Sequence, residues 1–195
     1  MKRNTLTIEY FPLTPERWSD FEELFSRKNS PRDCWCMWWK LTRAEFEKNK
    51  GEANRRAMKE IVDSGRVPGI LAYARKRPVA WCAIAPRPEF PRLQRSPLLK
   101  PVDDRRVWSV VCFFVDRDFR RQGLSAGLLK AALRHAAGRG ALVVEGYPHL
   151  AGKEKRPDCE VYTGLHSTFA KAGFREVSRP SPNRSIMRYH LEAGT

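Results

Sequence analysis

The spacing of hydrophobic and polar positions divides the chain into stretches of period two and stretches of helical period. Leu6 to Leu13 alternates well enough to predict a first strand, broken by Pro12. Thr14-Pro15-Glu16 then predicts a helix start, with Thr14 as its cap and Pro15 in first position. Trp18, Phe21, Leu24 and Phe25 supply that helix's buried stripe. Ser30-Pro31-Arg32-Asp33 ends it by turn chemistry. Thr42 to Asp63 reads as one charged amphipathic helix, opened by a capping box of Thr42 and Glu45 and closed by Gly65 and Pro68. Gly69 to Ala74 and Val79 to Ala85 predict two strands around the turn from Arg75 to Pro78. The second of these, V-A-W-C-A-I-A, is apolar enough to be central.

The strongest signal runs from Val107 to Leu129. Val107 to Val115 is β-branched and aromatic, without Gly, Pro or charge, as expected of a strand buried on both faces. Asp116 to Gln122 makes a polar, Arg-rich turn, and Gly123 lets backbone approach a ligand that a Cβ would hold off. Leu124, Leu128, Leu129, Ala131, Ala132, Leu133 and Ala136 then form a helical stripe, ended by Gly138 and Gly140. Ala141 to Pro148 predicts the next strand, Leu150 to Asp158 a polar loop, and Gly164 to Phe174 a short helix closed by Gly173. A terminal antiparallel pair follows, Phe174 to Ser178 and Ser185 to Leu191, joined by residues 179–183. Between the central strands, Pro86 to Asp104 carries five prolines, so no regular element is expected there. So long a connection is either a flap over a site or a tolerated surface insertion.

A helix that starts directly after a buried strand leaves its first amides unpaired, and Arg120 and Arg121 lie beside them. Together they predict an anion site, most naturally for a phosphate or pyrophosphate. A P-loop is excluded because no Lys-Ser or Lys-Thr follows a glycine here, and a dinucleotide fingerprint because the stretch offers only Gly123 and Gly127. The pattern that fits is R-x-x-G-x-[G/A], carried by Arg120, Arg121, Gln122, Gly123, Leu124 and Ser125, with serine in the last place. Downstream, Phe169 to Phe174 supplies an aromatic residue four positions before a Gly-Phe pair. On these residues the chain resembles the GNAT superfamily of acyl-CoA-dependent N-acetyltransferases, over about residues 5 to 192, with the specific motifs confined to about 107 to 175.

The resemblance implies a layered α/β GNAT fold over residues 1–195 as a single domain. Its mixed central sheet would have about six to seven strands, flanked by about four helices. It further implies transfer of an acetyl group from acetyl-CoA, a cosubstrate, to a primary amine by direct attack, with no metal. Pantetheine would lie against backbone groups of Phe114 and Val115, the amides of Gln122, Gly123, Leu124, Ser125 and Ala126 would hold the pyrophosphate, and Arg120 and Arg121 would add charge. Besides Ser125, two positions where the family often carries its acid–base chemistry are altered: Phe169 stands where a tyrosine often serves as acid, and Ser109 where some members carry a glutamate base. Glu145 is then the candidate base or else a salt-bridge partner, and Tyr147, Tyr162 and His166 are the candidate acids. The aromatic stretch from Cys34 to Trp39 is either core packing or a wall, with Trp35, Trp38 and Trp39, for a small-molecule or peptide amine.

Composition narrows the picture in three respects. A length of 195 residues, 42% hydrophobic and 30% charged, suits one soluble domain. No membrane span or signal peptide is evident, which leads to the expectation of a cytoplasmic protein. Five cysteines without framework spacing are expected to be reduced, and zinc at Cys34 and Cys36 would need two further ligands. The net charge of +15 predicts attraction to polyanions. It is either a solvated surface or a patch for nucleic acid, which keeps open a second reading: a catalytically weakened basic domain that binds nucleic acid or a protein partner. The oligomeric state is left open, a homodimer included.

Overall fold

The apolar strand segments have too few polar groups to face water, and they bury one another in a single sheet. Seven strands, β1 (Ile8–Pro12), β2 (Gly69–Ala74), β3 (Arg77–Pro86), β4 (Trp108–Val115), β5 (Val143–Gly146), β6 (Arg175–Ser181) and β7 (Arg184–His190), pair in the order β1-β2-β3-β4-β5-β7-β6. Only the β4–β5 join is parallel among them. This computed structural model describes residues 7–150 and 161–192. Leu6, Cys159 and most of the expected loop from Leu150 to Asp158 lie outside the described residues.

Among the described residues six α-helices flank the sheet: α1 (Trp18–Ser26), α2 (Arg43–Lys48), α3 (Glu52–Asp63), α4 (Pro91–Gln94), α5 (Leu124–Ala137) and α6 (His166–Lys171). The alternation of β3 shows how the layers form. Trp81, Ala83 and Ala85 join the core beneath α1, while Ala80, Cys82 and Ile84 join the core beneath α5. A strand so loaded on both faces has to be central, as its composition indicates.

The helix count exceeds the expected four for two local reasons. The capping box of Thr42 and Glu45 forms, but the helix it opens ends before Gly51, whose φ of +77° starts a separate helix at Glu52. The proline-rich connection also holds a helical turn, α4, and Phe90, Leu93 and Leu99 are buried. It is therefore neither a free flap nor a surface insertion. The guanidinium of Arg92 sits 3.6 Å from the centre of the Trp38 ring, so the connection packs behind the aromatic stretch. Elsewhere, Thr14 precedes a single 3-10 turn, Pro15–Arg17, and its side chain caps nothing. The final hairpin is longer than expected, its strands closing to within Pro182 and Asn183.

Two irregularities open the sheet at its middle. Ala83 faces Cys112 and Ile84 faces Val110, so Val111 is an extra residue, and Val111 and Cys112 both turn toward the α1 side. β5 pairs with β4 only from Trp108 to Val110 and then leaves it. Beyond that point the strands diverge, and the Phe113 amide donates to the Tyr162 carbonyl at 2.6 Å.

Candidate functional site

The parting of β4 from β5 creates a cleft of about 1190 Å³, bounded by the C-terminal half of β4, the turn into α5, the aromatic stretch and α6. The turn is shaped by two residues in the left-handed region, Arg121 at φ +62° and Gly123 at φ +80°. A Cβ on Gly123 would meet nothing within 4 Å, so the glycine is required by its backbone angle and not by crowding. Reversals of this kind turn successive N–H groups to one side, as in an anion-binding nest. The amides from Arg121 to Ser125 find no acceptor among the described residues, and α5 adds the positive end of its dipole.

Arg120, Arg121, Gly123, Leu124, Ser125 and Ala126 all line this cleft, with Arg117 and Lys171 beside them. Gln122 differs: its side-chain amide folds back to donate to the Asp118 carbonyl at 3.1 Å. Arg120 is also part of the scaffold, since its Nε donates to the Val115 carbonyl at 3.0 Å.

The strand wall follows from the ladder. Asp116 donates to Val79 across the β3–β4 join, so the backbone groups of Phe114 also point at β3, and those of Phe113 and Val115 point away from it. The cleft-side backbone therefore belongs to Phe113 and Val115. Phe114 contributes its ring, packed 5.6 Å from that of Phe25. This corrects the expectation that backbone groups of Phe114 serve a ligand.

The aromatic stretch divides between the two roles considered for it. Trp38 and Trp39 line the cleft, with Phe46 edge-on to Trp38 at 5.0 Å. Trp35 is buried behind them, stacked on Phe25 at 5.8 Å, and belongs to the core. Tyr162 lines the cleft, and burial raises the pKa of its hydroxyl above the usual tyrosine value, so it carries its proton at neutral pH.

The other acid–base candidates lie elsewhere. Glu145 is fully buried and accepts from Arg87 at 2.9 Å, Arg188 at 2.7 Å and the Tyr147 hydroxyl at 2.7 Å. Tyr147 also meets Ser109 at 2.8 Å, and burial, reinforced by the Glu145 charge, holds its pKa well above the usual value. Neither residue lines the cleft, and the salt-bridge reading of Glu145 is the one the geometry supports. His166 sets its Nε2 3.3 Å from Glu176 and does not line the cleft either. Phe169, in the place of the frequent tyrosine, is buried edge-on between Phe113 and Phe174.

Sequence reasoning missed Arg87 and Arg188 as the partners of Glu145. One signal was available: Arg188 is the only charge inside I-M-R-Y, and the β5–β7 register sets it opposite Glu145. It also missed the cleft thiols. Cys34, Cys36 and Cys112 all line the cleft, and the four described cysteines are free. Among the described residues no group of three or more His, Cys, Asp or Glu side chains converges as metal ligands do.

The model of the acetyltransferase (GNAT) family matches residues 13–149. The chain is similar in structure to the PaiA N-acetyltransferase from Thermoplasma acidophilum in complex with coenzyme A, at 13% identity and a TM-score of 0.53, over 95% of this chain and 100% of that one. It is similar to an acetyltransferase of the GNAT family from Streptococcus pneumoniae at 11% identity and a TM-score of 0.57, over 95% and 99%. An aminoglycoside N-acetyltransferase in complex with CoA aligns at 13% identity and a TM-score of 0.54, over 92% and 95%. At such identities the likeness is one of fold. No curated protein sequence matches the chain.

Proposed function

The chain belongs to the GNAT acetyltransferase family, and from that premise we propose that, as a single domain, it transfers an acetyl group from acetyl-CoA to a primary amine of a small molecule or peptide. The observation that carries the reading is the meeting, in one cleft, of the unpaired amides from Arg121 to Ser125 with the open edge of β4. A diphosphate suits the first, because it accepts from several amides at a helix start at once. An extended pantetheine arm suits the second, because the Val115 amide lies on the cleft side with no strand to pair it. The solved relatives with CoA bound, PaiA N-acetyltransferase and the aminoglycoside N-acetyltransferase, support the same cosubstrate.

The arrangement then divides the work. Amides of the turn, with Arg120 and Arg121, hold the phosphates and fix the thioester along β4. The amine enters past Trp38 and Trp39, where a flat apolar wall orients its carbon skeleton and excludes water. Attack on the thioester carbon forms the amide bond, and CoA leaves as a thiolate. Tyr162, protonated and on the cleft wall, supplies the proton that this thiolate takes up. The attacking amine loses its own proton to solvent.

Incubating the protein with acetyl-CoA and a panel of amines, while following free thiol, tests the reaction. The proposal expects release that depends on one class of acceptor. Release no faster than hydrolysis with every amine would count against it.

A further inference from the structure

Arg92 fixes the pose of Trp38 from behind the cleft. Its amide donates to the Trp39 carbonyl and its Nε to the Leu41 carbonyl, each at 3.3 Å, so the residue is tied to the aromatic stretch at two points. Its guanidinium then lies over the Trp38 ring, 3.6 Å from the centroid, and covers one face. Phe46 stands 5.0 Å from Trp38, perpendicular to it, and 5.9 Å from the same guanidinium. These three distances make a nearly right angle at Trp38, which sets Phe46 at the edge of the indole and leaves the face opposite Arg92 to neither of them. Trp38 lines the cleft and Arg92 does not, so that face is the one turned inward. Phe46, which lines the cleft too, adds a second wall at right angles to it.

The exposed indole face is flat, apolar and already polarised. A cation at 3.6 Å draws the π density toward itself. An ammonium group on the opposite face therefore loses the attraction a free ring would offer and meets the repulsion of the guanidinium instead. A neutral aromatic ring carries no such penalty and gains from offset stacking. Arg117, Arg120, Arg121 and Lys171 line the same cleft and oppose further positive charge. The cleft thus suits an acceptor whose one positive charge is on the reacting nitrogen.

We infer that the acceptor is an arylalkylamine: its flat, uncharged ring stacks on Trp38 against Phe46, and its nitrogen reaches the thioester along β4. Arg92 is a positioning residue that makes the indole a platform for rings and an unfavourable one for polyamines. The chemical step is the one given above, the N–C bond forming as the thioester C–S bond breaks, and the inference rests on that reading of the cleft. A free arylalkylamine and the amino end of a peptide that begins with an aromatic residue share this chemistry.

Steady-state thiol release from acetyl-CoA, with phenethylamine, a phenylalanyl dipeptide, hexylamine and spermidine as acceptors, tests it. The better of the two aromatic amines is expected to exceed hexylamine in kcat/KM by about 2- to 12-fold, the worth of one ring–ring contact, and to exceed spermidine by more. Which of the two leads tells a small molecule from a peptide end. Trp38→Leu is expected to erase the advantage through the KM for the amine, while CoA still stabilises the protein against heat. Arg92→Met keeps a chain packed on the indole without its charge, and is expected to raise spermidine relative to phenethylamine. A wild-type preference for spermidine or hexylamine, an advantage of the ring that survives in Trp38→Leu, or an unchanged ratio in Arg92→Met would overturn the inference. So would a CoA-stabilised protein that acetylates neither aromatic amine. Lack of stabilisation by CoA in the wild type would instead strike at the acyl-CoA reading.

Discussion

An acid placed in an apolar strand either becomes a poised base or finds a cation, and for Glu145 the neighbouring chain decides. Arg188 faces it across β5 and β7, and Arg87 reaches it from the connection after β3, so the carboxylate is ion-paired twice in the interior. Replacing a buried partner leaves the remaining charges uncompensated, which costs about 3–5 kcal/mol. Glu145→Gln is therefore expected to lower the free energy of unfolding in a denaturant titration by about that amount, and an unchanged midpoint would contradict the network. The sequence displayed this acid clearly but not its partners, because Arg87 lies 58 residues away and only the register brings Arg188 opposite.

His135 gives a second prediction at the same scale. Burial, then the charge of Arg139, holds its imidazole below the usual histidine pKa, and its ring meets Trp108 edge-on at 5.8 Å. The unfolded chain binds the proton more readily than the folded one. Stability is thus intact above the unfolded value of about 6.5 and falls as the pH drops through it toward the folded value. Urea midpoints measured from about pH 8 to 5 should decline through that window. His135→Gln should flatten part of the decline, and an identical pH profile in the variant would show that the residue contributes nothing.

At the scale of elements, what the sequence displayed best was what periodicity and backbone chemistry control. The buried strand β4, the small-residue helix α5 and the glycine between them stand where the pattern places them, because a run of β-branched and aromatic residues has few other ways to bury itself. The break before Gly51 and the helical turn at Pro91–Gln94 were not legible. Both depend on tertiary contacts, the Gly51 amide donating to Asp33 and the Arg92 amide to Trp39. Close approach between elements was equally hidden. A Cβ on Gly146 of β5 would lie 2.0 Å from the Phe169 ring of α6, so the absence of a side chain there lets that helix seat beside the parting strands. Gly146→Ala should destabilise the fold by about 1–3 kcal/mol, the usual cost of forcing extra volume into a packed contact. A thermal unfolding midpoint equal to that of the wild type would mean that Phe169 yields freely.

For the whole molecule, the layered sheet and the parted central strands converge on one cleft, which four of the chain's basic residues line. The charge of +15 did not distinguish a phosphate-bearing cosubstrate from a nucleic acid, since both are polyanions. The placement of Arg117, Arg120, Arg121 and Lys171 around the turn into α5 sets positive charge beside amides that have no acceptor among the described residues, an arrangement suited to a phosphate group. Gly123→Val isolates this feature. The substitution forces a β-branched residue to φ +80° but strikes no neighbour, so it strains the turn by about 1–2 kcal/mol and leaves the two cores as they are. The decisive measurement is a calorimetric titration of both proteins with CoA. The account predicts one CoA bound per chain of the wild type and, in a folded Gly123→Val variant, binding weakened by about 5- to 30-fold, the equivalent of that strain; equal binding by the two, or none by the wild type, would contradict it.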